Sequence, residues 1–151
     1  MLTINRLDVE EARCLIAGAR TRAEEIGVPM CIAITDESGN LVAFERMDGG
    51  KVTSITIAID KSFTAAGARK ATDEYGAASQ PGGPAWGIGS AISGRLMVVA
   101  GGLPVVRDGE VLGGIGVSSG SPAQDREVAT AGLQRLTAAW DAAGEGRLKT
   151  G

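Results

Sequence analysis

An Asp-Gly pair, Asp108-Gly109, stands between two runs rich in aliphatic and β-branched residues, Leu103 to Arg107 and Glu110 to Ser118. Both residues accept the left-handed backbone of a tight turn, so the pattern is among the strongest short signals for a β-hairpin. A second hairpin is predicted earlier in the chain. There Met30 to Thr35 and Leu41 to Met47 flank the turn residues Asp36-Glu-Ser-Gly-Asn40. Strands that arrive as hairpins pair antiparallel. The helices between them must then cover an antiparallel sheet, which is the α+β class. The apolar run Arg95 to Ala100 predicts a further strand.

Helices are predicted between and around the hairpins. Asp8 with Glu11 three residues on is a capping box. Val9, Ala12, Ile16, Ala19, Ala23 and Ile26 then make one apolar stripe, closed by Gly27 and Pro29. Ser54 to about Gly76 reads as one helix, with Ile55, Ala58, Ile59, Ser62, Phe63 and Ala66 as its packing stripe. Asp60, Lys61 and Thr64 fall beside or opposite that stripe. Residues 77–93, rich in Gly, Pro, Ser and Ala, predict an ordered loop with a short helix around Trp86. Ser121, Pro122 and Gln124 predict the start of a last helix. It runs to about Ala143, with Leu133, Leu136 and Trp140 on the buried side. Residues 1–144 form one domain on this reading, and 145–151 a flexible tail.

Composition narrows the chemistry. The chain has 151 residues, 44% of them apolar, but its aromatics are only two Trp, two Phe and one Tyr. Ala, Val, Ile and Leu must therefore build the core. A formal net charge of −3 argues against nucleic acid, whose phosphates need a basic patch. No basic amphipathic stretch or apolar run of membrane-spanning length points to a membrane. The first ten residues lack a signal-peptide pattern, and the cytoplasm is the expected location. There is no histidine. Ser-His-Asp and Cys-His machinery, His-ligated zinc and His-ligated haem are excluded. Cys14 and Cys31, without motif spacing, read as reduced core thiols. No metal site is expected.

Short motifs along nearly the whole chain resemble one family. They are Asp36-Glu-Ser-Gly39, Arg46-Met-Asp-Gly49 and Lys61-Ser-Phe-Thr-Ala65 in the first half. Gly101-Gly-Leu-Pro104, Gly109-Glu-Val-Leu-Gly113, Ile115-Gly-Val-Ser118 and Gln124-Asp125 follow in order. Together they resemble the GlcG/HbpS-like (haem-degrading domain) family. The resemblance implies a profilin-like fold with a five-stranded antiparallel sheet, and assembly into dimers or larger rings. It implies haem or another tetrapyrrole as a candidate ligand, and it places the chain near proteins encoded beside catabolic enzymes. Without histidine, a haem iron would turn to Tyr75, Met47, Met97, Cys31 or Thr64.

Several residues are candidates for chemistry. Arg46 can bind a carboxylate, steadied by Asp48, or the two can simply close the turn. Lys61, next to an apolar stripe, can act as a base or Schiff-base former, or pair with an acid. Asp125, opening the last helix, can orient a substrate or merely complement the helix dipole. Gly101 and Gly102 permit close approach of a ligand or of the protein's own packing. Trp86 can stack on a planar ligand or plug a subunit contact. Two functions follow. The first is a small-ligand-binding protein, with haem or another tetrapyrrole in a cleft between the Trp86 segment, the Lys61 helix and Gly101-Gly102. The alternative is a cofactor-free catabolic isomerase, hydratase or lyase, in which Arg46 holds a carboxylate and Lys61 or Asp125 moves a proton.

Overall fold

The computed structural model describes residues 1–150, with side chains as far as Gly144. The elements are α1 (Val9–Glu25), β1 (Cys31–Asp36), β2 (Leu41–Arg46), α2 (Thr53–Ala68) and α3 (Thr72–Ala78). A 3-10 turn (Ile88–Ser90), a one-turn α4 (Ala91–Gly94), β3 (Gly102–Arg107), β4 (Glu110–Ser118) and α5 (Pro122–Thr150) follow. The antiparallel sheet has the order β2-β1-β4-β3, with β1 and β4 at its centre. The chain is thus α+β, as its hairpins require.

The two faces of the sheet differ in size. Ile32 and Ile34 of β1 and Ile115 and Val117 of β4 point to one face, where they join Leu15, Ala19, Val128 and Leu136 of α1 and α5 in the main core. Cys31 and Ala33 point to the other face and meet Ala58 of α2. Beside them on β4 stand Gly114 and Gly116, with no side chain at all. A Cβ on Gly116 would lie 2.1 Å from the Ala58 carbonyl oxygen, and one on Gly114 2.4 Å from that of Ser62. The backbone of α2 therefore rests directly on the sheet, and packing this tight tolerates no added methyl.

Both expected capping boxes form. Asp8 accepts from the Glu11 amide at 2.8 Å, and the Asp8 amide donates to Glu11 at 2.9 Å. Ser121 and Gln124 repeat the arrangement at the head of α5. The turn at Asp108-Gly109 has both residues at positive φ, 51° and 80°.

Four expectations are corrected. The sheet has four strands, not five: residues 95–100 form no ladder. Their polar groups go to side chains instead. The Met97 amide donates to Thr64 Oγ1 at 2.9 Å, and Thr64 and Thr72 donate to the carbonyls of Arg95 and Val99. This segment is a strap over α2 and α3. The helix expected from Ser54 to Gly76 breaks at Arg69, whose φ is 58°, and restarts at Thr72 with Glu74 capping the Ala71 amide. Asp60, Lys61 and Thr64, expected beside or opposite the packing stripe, are all buried. The face they join is polar because the sheet opposite is made of small residues. α5 continues past the expected end near Ala143, to Thr150. Residues 145–150 of the expected tail are thus part of this helix, and Gly151 lies outside the described residues.

Candidate functional site

Four of the seven residues selected from sequence meet at one buried point. Lys61 Nζ donates to Asp125 Oδ2 at 2.8 Å and to the Val117 carbonyl at 2.9 Å. Asp125 Oδ1 accepts from the Gly120 amide at 2.9 Å. The two side chains are 1% and 4% exposed. Burial pushes the Lys61 ammonium below its ordinary value, and the hydrogen bond and charge of Asp125 oppose that shift. Gly101 and Gly102 close the point from the third side. A Cβ on Gly101 would come within 2.9 Å of Lys61 Nζ and 2.6 Å of the Val117 carbonyl. One on Gly102 would meet the Lys61 carbonyl and the Thr72 methyl at 2.5 Å. The close approach that these glycines permit is made by the protein itself. The cleft expected between the Lys61 helix and Gly101-Gly102 is closed.

Arg46 and Asp48 lie elsewhere, exposed at the far end of β2. No ion pair joins them among the described residues. Arg46 is in register with Cys31, which in turn is in register with Ser118. Ser118 donates to Ser54 at 3.2 Å, and Ser119 accepts from the Lys51 amide at 3.0 Å. Burial raises the Cys31 thiol above its ordinary value, against the lesser pull of Ser119 and Arg46. That favours the inert thiol over a nucleophilic thiolate.

Trp86 belongs to a third place. Along one stretch of the chain, Trp86 is 66% exposed, Ile92 54% and Val99 40%. The stretch folds on itself and on α3. The Ala85 amide donates to the Ala78 carbonyl, Thr72 donates to Val99, and the backbone of Val98 abuts Gly76, where a Cβ would lie 2.2 Å from its carbonyl oxygen. Ile92 and Ser93 both take left-handed φ, 54° and 55°, which is costly for side-chain-bearing residues. The cations nearest in sequence are Arg69, Lys70 and Arg95. Arg95 is engaged, at 2.9 Å from Asp60 and stacked 3.8 Å from the Phe63 ring centroid.

The five donors proposed for iron separate by exposure. Cys31 is wholly buried and Thr64 is 1% exposed, its hydroxyl used by the strap. Met47 accepts a hydrogen bond from the Met30 amide. Tyr75 and Met97 are half-buried, on α3 and the strap. A groove between α1 and α5, lined by Arg22, Glu25, Arg126 and Glu127, contains none of the selected residues. Thr72 and the Ser54–Ser118 hydroxyl pair are site-forming residues that the sequence did not single out, and Thr64, singled out as an iron donor, serves instead to hold the strap. A threonine pointing inward from an otherwise apolar helix face was the available signal.

Comparison with known proteins places this geometry. Residues 7–134 match the family model described as haem degrading protein HbpS-like. The chain belongs to this HbpS-like family. A 15.0 kDa protein from the dhaT-dhaS intergenic region of Citrobacter freundii is 35% identical over 130 residues, covering 86% of this chain and 92% of its own. The corrinoid adenosyltransferase PduO of the same organism is also 35% identical over 130 residues, but this chain spans only 39% of its length. Among solved structures, the PduOC:heme complex superposes with a TM-score of 0.83 at 31% identity, covering 86% of this chain and 94% of that one. Lys61 and Asp125 lie in two of the motifs that resembled the HbpS-like family in sequence, and here they are a single buried ion pair. Among the described residues no cluster of Cys, Asp or Glu has metal-holding geometry, and no helix is long and apolar enough to cross a membrane.

Proposed function

We propose that this HbpS-like chain binds a tetrapyrrole, with haem as the reference ligand, on the face formed by α3, the Trp86 loop and the 95–100 strap. One observation carries the reading: Trp86, Ile92 and Val99 remain exposed along a stretch that is fastened to α2 and α3. A chain with two tryptophans gains little by leaving one in water. Large exposed apolar side chains that recur within one segment suit a contact surface. A tetrapyrrole is a flat apolar ring edged with carboxylates. Trp86 suits stacking on the ring, and Lys70, just ahead of α3, suits a carboxylate. The haem complex of PduOC supports the same class of ligand.

Turnover is less well supported. Lys61 and Asp125, the acid–base pair of the enzyme reading, direct their polar atoms to each other, to Val117 and to Gly120. The reading includes a homo-oligomer working in the cytoplasm, and a profilin-like description of the fold. The test is a titration of the purified chain with haemin, followed in the Soret region. A saturable shift at a fixed ratio per subunit is expected, and Trp86→Ala weakens it without unfolding the domain. A linear, non-saturating trace with the wild-type chain would remove the tetrapyrrole.

A further inference from the structure

We infer that the second half of the strap together with Gly101, residues 97–101, is a lid over Lys61 and Asp125, and that it opens while the core of the sheet stays paired. The inference stands apart from the tetrapyrrole reading, because it concerns the buried ion pair and not the Trp86 loop.

The groups that enclose Lys61 Nζ are of two kinds. Val117 belongs to β4 and Asp125 to α5, and neither can move away without disturbing a regular element. Gly101 belongs to no helix or strand. A Cβ there would lie 2.9 Å from Lys61 Nζ and 2.8 Å from Asp125 Cβ, so its backbone rests on both members of the pair. Its φ of 122° is one that residues with a side chain avoid. The cover on this side is therefore a bare length of backbone, and lifting it uncovers the pair.

The residues leading to Gly101 are fastened by few bonds. Two threonine hydroxyls act as latches. Thr64 Oγ1 accepts from the Met97 amide at 2.9 Å. Thr72 Oγ1 donates to the Val99 carbonyl at 2.6 Å and accepts from the Gly102 amide at 3.0 Å. The Gly101 carbonyl accepts from the Val117 amide at 2.9 Å, and the Val98 carbonyl lies against Gly76. None of Met97, Val98, Val99 and Ala100 is fully buried, so opening takes little apolar area out of the core. The first half of the strap differs. Leu96 is buried, and Arg95 pairs with Asp60 and stacks on Phe63. Held at Leu96 and at β3, residues 97–101 bow outward as a short loop once their hydrogen bonds release, a local opening and not an unfolding.

The lid decides what the pair can do. Closed, the ammonium and the carboxylate satisfy each other and meet no solute. Open, an amine and a carboxylate stand side by side within reach of a small molecule.

The experiment treats the whole chain with formaldehyde and a borane reductant, which methylates accessible amines, and reads initial rates at each lysine by peptide mass spectrometry. Lys51 and Lys70 are exposed controls. Lys61 is expected to react far more slowly than either, at a rate nearly flat in low urea, while hydrogen exchange of the β1 and β4 amides steepens with urea. Thr72→Val removes a latch and raises the Lys61 rate by up to about tenfold. Thr72→Ser keeps the hydroxyl and stays near wild type. Methylation of Lys61 that rises with urea in step with the β1 and β4 amides would overturn the lid, because the pair then opens only with the sheet. A Thr72→Val rate equal to wild type would overturn it too, and so would equal rates in Thr72→Ser and Thr72→Val. Should Thr72→Val not fold, Thr64→Val releases the Met97 amide instead, and the same outcomes decide.

Discussion

Lys61 Nζ lies 2.8 Å from Asp125 Oδ2, and the pair ties α2 to the head of α5 through the core. With the Val117 carbonyl as a second acceptor, the ammonium is held at the point where β4 hands the chain to α5. Such a pair is weak evidence of net stability, but breaking it leaves a buried charge alone. Lys61→Met is therefore expected to destabilise the fold by about 3–5 kcal/mol in urea unfolding. Lys61→Met combined with Asp125→Leu should recover much of that loss. A single variant within experimental error of wild type would contradict the buried pair.

Gly116→Ala is expected to destabilise by about 1–3 kcal/mol or more, because its methyl meets the Ala58 backbone and not a side chain that can turn aside. Gly82→Ala is a useful contrast: its φ of 80° is strained, yet nothing lies within 4 Å of its Cβ. Thermal midpoints of the two variants separate packing from backbone strain. Equal losses would mean that α2 does not lie against β4 as described.

Acid should weaken the anchoring of the N-terminal arm. Arg6 donates to Glu37 at 2.7 and 2.6 Å, and this holds the Glu37 carboxyl at about 2, below its ordinary 4.5. Between those values the unfolded chain binds a proton that the native chain does not. Stability from Glu37 is thus complete above 4.5 and declines as pH falls towards 2. Glu37→Gln should flatten the acid limb of a stability-against-pH curve. Arg6 is more than half exposed, so the effect is modest. Parallel curves for wild type and Glu37→Gln would refute the assignment.

Light scattering should give a mass above the 15.3 kDa of one chain. Both edges of the sheet are open: β2 carries Leu41 at 50% exposure and β3 carries Val106 at 48%, while Val52 ahead of α2 is 73% exposed. Open edges with apolar side chains invite a neighbour. A monomer at working concentration would defeat the expectation.

The hairpins, the caps and the two antiparallel pairings were legible because each rests on local chemistry, such as Asp108-Gly109 or Asp8 with Glu11. The strap was not. Leu96 to Val99 has the composition of a strand, and only the hydroxyls of Thr64 and Thr72, distant in sequence, take the hydrogen bonds that a neighbouring strand would have taken. Lys61 was legible as a functional candidate but not as a buried one. Periodicity weighs apolar residues, whereas the Gly and Ala face of the sheet left room for an ammonium. Its partner Asp125, 64 positions away, was selected for its own reasons, and nothing local linked the two. Arg46 stood out by its motif beside Asp48 and Trp86 by residue type, and the fold puts them on different segments, at the end of β2 and in the loop after α3.

The strap's attachment by two threonine hydroxyls has a consequence for how the molecule opens. A strand in a sheet can leave only by unzipping a ladder that its neighbours share. Residues 95–100 answer to side chains of α2 and α3, so they can lift while all four strands stay paired. Access to the strap is in that sense independent of the integrity of the sheet.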